Sequence, residues 1–574
     1  MEIIVNNIKV PTDETIRIRF YNPLFNDTGT YSFPVTFNGK LDLVKEAFGY
    51  PAREDLELPA NIDGSIKTKY MELKGTWTIT EASVDRIEAY FKAGDGDFYS
   101  QLKDKLLTAV DYGGVKYPAG AFPTGTQVFA HMNTKMSAYY PHDEYAAFCA
   151  YTPNADGETT TDARKIVNEI NESCELLPTF KVKVAGNDTV YLLVGAVLNY
   201  IYAEQGYRIT KNIFEENYDL ARLVIFNAYN RKANGAFDYS KLLPAGVKVT
   251  DFIRSLSQKF NIAFIPSSRT REVKIVSFDM ITGGAITSCE NKSYNAVVDR
   301  GRINGFRMGM AFGDDFARND YAGIEVFDAM TYTTIDMARD IPASVLTLDD
   351  VYYVTSESAF YMVVAEGTGY VAQRLCPDLF PYTEGSGFKQ VDQTAAVVAN
   401  GTWQRVYPEV EDPDPHEPPI STETTVDYIL PRYDGEVAAL NKIGITFPLM
   451  FTFARGIQPA FIEATVSPAV DDEYYPLGSY DVVNALSDKI STANLSLKWH
   501  GTYGLVEKLW KNRFYWEMYL KKRVTRDITP EDIDCLIDFS GAKSIGNNNY
   551  LVNQIEIELS SKSERISELE LYRL

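Results

Sequence analysis

The sequence predicts an α+β, mainly β fold, with several β-barrel-like or β-sandwich-like domains carrying short packed helices. Three observations point there. Apolar and charged residues alternate with a period of two in segments near both ends of the chain, the signature of half-buried strands. Helical periodicity is confined to short stretches. At 574 residues the chain exceeds what one core can serve, and about 150 residues per domain suggests roughly three or four.

The first hundred residues read mainly as strands. Ile16, Ile18 and Phe20 alternate with Arg17 and Arg19; "KYMELKGTWTIT" and "RIEAYFKAG" repeat the pattern, the latter with Ile87, Ala89 and Phe91 inward. A helix is expected at "DFYSQLKDKLL", with Asp97 as N-cap, and these elements form a β-rich domain over 1–118. Residues 119–190 are mostly an irregular, loop-rich segment. A second helix is expected from Leu192 to Gln205, closed by Gly206, followed by a helical turn and an apolar strand in "NIFEENYDLARLVIFNAYN".

The stretch "DFIRSLSQKFNIAFIPSSRTREVKIVSF" holds a helix, a strand, a turn and a strand. Thr250 is the expected N-cap with Asp251 in the first turn. Phe252, Leu256 and Phe260 recur every fourth residue beside Ile253, and Asn261 suits a left-handed cap. Ile262 to Ile265 is an apolar run stopped by Pro266, and Val273 and Ile275 alternate with Glu272 and Lys274. This unit belongs to an α+β domain over 191–330.

A β-rich module over 331–406 contains "VYYVTS" and "AFYMVVAE". Residues 407–420, "YPEVEDPDPHEPPI", carry five prolines and five acids and read as an extended charged linker. The last domain, 421–574, offers a helix in "GLVEKLWKNRFYWEMYL" and two strands, where Ile555, Ile557 and Leu559 alternate with Glu556 and Glu558, and Leu569 and Leu571 with Glu568 and Glu570.

A net charge of −22 disfavours a basic nucleic-acid-binding face. The cysteines at 149, 174, 289, 376 and 535 lack CxxC spacing and read as free thiols. The N-terminal stretch has no apolar run of the signal-peptide kind, and no window approaches a membrane span.

No catalytic, cofactor-binding or metal-binding residue is assigned. His131, His142, Asp143 and Glu144 lie close in sequence but lack metal-ligand spacing. Asp95 and Asp97 lack the remaining positions of a calcium loop. The acid pairs Glu531/Asp532 and Asp412/Asp414 are what 78 acidic residues produce by chance. Neither a phosphate loop nor a nucleophile elbow is present.

Several segments, in order, resemble the tail hub or baseplate hub proteins of tailed bacteriophages: "YNPLFNDTGTYSFPVTFNGKLDLVKEAFGYPAR", "GDFYSQLKDKLL", "EQGYRITKNIFEENYDLARLVIFNAYN", "VTDFIRSLSQKFNIAFIPSSRTREVKIVSF", "GFRMGMAFGDDFARND" and "NNNYLVNQIEIEL" with "ELELYRL". The resemblance implies a non-enzymatic structural virion protein at the tail tip, assembled in the host cytoplasm and acting in host cell entry and genome ejection. It implies a homotrimer whose two β-barrel-like domains per chain present a near-sixfold face to the tail tube around a DNA channel. Its partners would be tail tube or distal tail proteins, the tape-measure protein and tail fibre or tip proteins. The alternative is a receptor- or glycan-binding tail protein, favoured if aromatics in 119–175 are exposed; a cell-wall hydrolase is a third reading.

Overall fold

The computed structural model describes residues 1–117, 144–151, 166–171, 181–182, 189–227, 237–289, 297–299, 305–308, 333–374, 388–407, 424–464 and 474–574, with Thr134, less short stretches within those spans. Its described part is mainly β with short helices, as the sequence predicts.

The largest sheet joins the two ends of the chain. Its strands run in the order Ile8–Val10, Glu2–Val5, Ile62–Lys67, Glu72–Ala82, Arg86–Ala93, Thr30–Ser32, Ile16–Tyr21, Asn548–Leu559, Glu564–Arg573, Lys522–Ile528 and Val297–Asp299. At the seam, Ile16, Ile18 and Phe20 stand opposite Leu559, Ile557 and Ile555, and all six are buried. On the other face Arg19 meets Glu556 at 2.5 Å and Arg17 meets Glu558 at 3.2 Å. Each strand is thus apolar inward and oppositely charged outward. Cross-strand pairs of this kind add modestly to stability while favouring one register, since a one-residue slip would bury the charges. The inward face closes a first core that runs from Ile3 and Trp77 to Leu569 and Leu571.

The middle of the chain builds a second core. Its sheet orders Tyr145–Ala146, Tyr191–Leu193, Leu223–Phe226, Met450–Pro459 and Ala396–Val397, with Tyr474–Ser479 also paired to Met450–Pro459. Leu223 and Ile225 face the second core, whereas Val224 and Phe226 face a smaller cluster around Phe148 and Tyr191. Burial on both faces explains the uninterrupted apolar run. Gly478 is required here: a Cβ would lie 2.4 Å from the Phe148 ring.

The spans 1–118 and 421–574 therefore contribute to one sheet, and 421–574 contributes to the middle sheet as well. Strand pairing is set by register and apolar face, which carry no mark of how distant the partner is along the chain.

Several local expectations need correction. The helix expected at Leu192 starts at Val194, because Leu192 and Leu193 pair as strand with Ile225 and Val224. It does end as expected, with Gly206 at φ 71°. The helix expected to be capped by Asp97 spans Asp95–Leu102, which puts Asp97 inside it. The helix of the central unit spans Val249–Phe260 with Lys248, not Thr250, at the N-cap and no side-chain cap bond; burial of Val249 draws the helix start back. Pro266 does not stop its strand, which runs Ile262–Ser267; the strand lies at a sheet edge, where a missing N–H is tolerated. Residues 408–420 lie outside the described residues.

The free-thiol reading of the cysteines is overturned for two of them. Cys289 and Cys535 form a disulfide, with Cα atoms 6.8 Å apart. They meet because Thr287–Cys289 pairs with Lys543–Ile545, a contact invisible to sequence spacing. Cys149 is a buried thiol that donates to the Asn168 carbonyl at 3.2 Å; Cys174 and Cys376 lie outside the described residues.

Candidate functional site: the joint between the cores

The unit that separates and connects the two cores is the helix Val249–Phe260 with the hairpin Ile262–Ser267 and Glu272–Ser277. Successive residues of a strand face opposite sides, and here both sides are interior. Ile262 and Phe264, with Val273 and Ile275, enter the second core together with Phe252, Leu256 and Phe260 of the helix. Ala263 and Ile265, with Val276, enter the first. The register places Phe264 opposite Ile275 and Ala263 opposite Val276, so the hairpin is a common wall. Phe278 continues into the first core, and Met280 packs against both.

Asn261 fixes the corner between helix and hairpin. Its φ of 55° is left-handed, a conformation Asn tolerates better than most residues. Its side chain donates to the Leu509 carbonyl at 2.7 Å and accepts from Arg513 Nη1 at 2.7 Å. Arg513 is itself buried and paired with Glu517 at 2.7 Å. The Trp510 Nε1 donates to the Lys259 carbonyl at 3.1 Å. Trp516 meets Phe278, Phe25 and Tyr572 at ring distances of 5.4, 5.7 and 5.8 Å. The helical stretch from Val506 to Met518 thereby clamps the corner to both cores.

A polar cluster closes the first-core side. Lys274 Nζ donates to Ser540 Oγ at 2.8 Å and lies 3.6 Å from Asp538. Burial pushes the Asp538 carboxyl up, but the Ser540 hydrogen bond and the charges of Lys274 and Lys543 outweigh it and hold the pKa below the ordinary value. Lys543 is buried; desolvation lowers its pKa against the opposing pull of Asp538. Two cavities flank the hairpin. One, of about 370 Å³, touches Phe20, Ile265, Lys274 and Asp538; the other, of about 430 Å³, touches Phe264 and two helices.

Deeper in the second core, Arg455 is buried and 2.8 Å from Asp219. Its other donors reach the carbonyls of Leu495 at 2.7 Å and Asp481 at 3.1 Å. Burial pulls its pKa down to about 10 against the attraction of Asp219, so it remains charged at neutral pH.

Of the weighed chemical groupings, only part lies within the described residues. Glu144 accepts hydrogen bonds from the hydroxyls of Tyr200 and Tyr239, the latter at 2.8 Å; burial, then this bond, raises the Tyr239 pKa. His131, His142, Asp143, Asp412, Asp414 and Asp532 lie outside the described residues. Among the described residues no group of three or more His, Cys, Asp or Glu could hold a metal ion, and no helix is long and apolar enough to cross a membrane. Tyr145 and Phe148 are buried, so neither offers a ring for a glycan. The sequence reading found the corner residue Asn261 but missed Arg513, Glu517, Arg455 and Asp219. A polar residue between Phe260 and Ile262 was the one available signal.

No family model matches the sequence, and no curated protein matches it. Among solved structures, the 43 kDa tail protein of prophage MuSo2 from Shewanella oneidensis aligns over 100% of this chain and 95% of its own, at 8% identity and a TM-score of 0.29. An E. coli component of the type VI secretion system, described as structurally similar to bacteriophage T4 tail proteins, aligns over 78% of this chain and 99% of its own, at 10% identity and a TM-score of 0.20. Likenesses this loose establish neither a shared fold nor a function.

Proposed function

We propose that the chain is a non-enzymatic structural protein of a phage tail, the homotrimeric hub that joins the tail tube to the tip and surrounds a channel for DNA. The observation that carries this reading is the common wall: two large cores are held by one hairpin buried on both faces. Such a joint suits a part that must keep its geometry under load, and two β-built units per chain suit a trimer that faces a sixfold tube. The ordered sequence segments supply the tail context. Tail tube, tape-measure and fibre or tip proteins would be its partners, and the virion tail tip its location.

The test is the solution mass by light scattering at low and high salt. The reading predicts a salt-resistant species of three times the 64.5 kDa chain mass, because a closed ring repeats one heterologous interface. A monomer at every concentration would favour a receptor-binding tail protein instead.

A further inference from the structure

The cavity of about 430 Å³ beside Phe264 is a groove between two helices. The helix Asp95–Leu102 presents Gly96, Tyr99 and Ser100 to it, and the helix Val249–Phe260 presents Thr250, Ile253, Arg254 and Ser257. Both sets follow helical spacing, so each helix gives one face. Gly96 lets the first helix sit close: a Cβ there would lie 2.3 Å from the Thr30 carbonyl oxygen.

Acids outnumber bases 78 to 56 over the chain, yet among the described residues the charged ones that line this groove are Lys92, Lys103 and Arg254. Lys103 and Arg254 are exposed. Lys92 is positioned by a 2.8 Å bond to Ser100 Oγ and lies 5.0 Å from the Tyr90 ring centre. The Tyr99 ring and the neutral groups of Asn26 and Ser257 also line it, the Ser257 hydroxyl donating to the Ile262 carbonyl at 2.7 Å. The volume falls within the range of small-molecule sites, about 300–1,000 Å³, far more than one inorganic anion fills.

From this lining we infer that the groove binds an anionic sugar, a carbohydrate bearing a phosphate or sulfate. The cations take the anionic group by charge-assisted hydrogen bonds, the Asn26 amide pairs with sugar hydroxyls, the Ser257 oxygen accepts from one, and Tyr99 covers an apolar sugar face. The inference goes beyond the tail reading and does not rest on it.

The test is calorimetric titration of the full chain with glucose 6-phosphate, glucose and inorganic phosphate. Glucose 6-phosphate should bind saturably below about 10 mM, and each control at least about tenfold more weakly. The double variant Lys103→Glu with Arg254→Glu should lose at least about tenfold in affinity with an unchanged circular dichroism spectrum. The same reversal at Lys508, outside the groove, should leave binding intact. Absence of saturable binding overturns the proposal, as does undiminished binding by the double variant. Inorganic phosphate binding as tightly as the sugar phosphate overturns the carbohydrate part, and glucose binding as tightly overturns the anionic part.

Discussion

The two cores are made by opposite uses of the chain. The first is assembled from residues near the two termini, where Ile16–Tyr21 pairs with Asn548–Leu559. The second is made from the interior of the sequence, where Leu223–Phe226 pairs with Met450–Pro459. One is zipped by an outer ladder of arginine and glutamate. The other contains a buried Arg455 and Asp219 pair. The hairpin Ile262–Ser267 and Glu272–Ser277 belongs to both. The difference teaches that a chain can return to its starting sheet and still behave as one body, provided the segment between the cores packs into both.

Breaking the polar clasp of the second core should have the largest effect. Arg455→Met leaves Asp219 buried without its partner and should cost about 3–5 kcal/mol, measured by urea unfolding. A loss below about 1 kcal/mol would mean that water reaches the pair.

The two faces of the hairpin can be separated next. Phe264→Ala opens a cavity on the second-core side and should cost about 3–5 kcal/mol; Val276→Ala acts on the first-core side and should cost about 1.5–3 kcal/mol. Core-specific probes should both shift for each variant, because the wall is common. Loss of protection confined to one core would divide the molecule in two.

Removing the staple tests the first core alone. Cys535→Ser should cost about 2–4 kcal/mol, and adding reductant to the unmodified protein should have a similar effect. An unchanged unfolding midpoint would show that the bond carries no constraint.

The smallest effect concerns pH. The folded pKa of Asp538 is depressed, so its contribution is present above the unfolded carboxyl value of 3.8 and is lost as pH falls through the folded value. Lys543 has the opposite sense: its folded pKa is lowered, so the cost of burying its charge fades as pH rises towards 10.5. Asp538→Asn should flatten the acid limb of the stability curve and slightly destabilise the protein at neutral pH. An acid limb identical to that of the unmodified protein would remove Asp538 from the account.

Much of the local structure was legible because periodicity reports which side of an element is apolar. The alternations at Ile16, Ile18 and Phe20 and at Ile555, Ile557 and Leu559 were read correctly from sequence, as were Asn261 and Gly206. That these two strands pair with each other was not legible, because alternation names a face and not a partner. The same limit hid the Cys289–Cys535 bond, which depends on long-range strand pairing. At Leu192 the apolar run suits helix and strand alike, and the sheet contact to Ile225 decided it. The hairpin raised a further ambiguity. Glu272 and Lys274 suggested one wet face, but Ala263, Ile265 and Val276 on the same side pack into the first core.

The most direct test is native-state hydrogen exchange of the hairpin amides from Ile262 to Ser277. If the hairpin is the common wall, the paired amides of Ala263 and Val276 exchange only through global unfolding, with the same protection as Ile557 in the first core and Ile225 in the second. Exchange of the hairpin at a lower free energy than both cores would contradict the account, since the wall would then open while the bodies it joins stay folded.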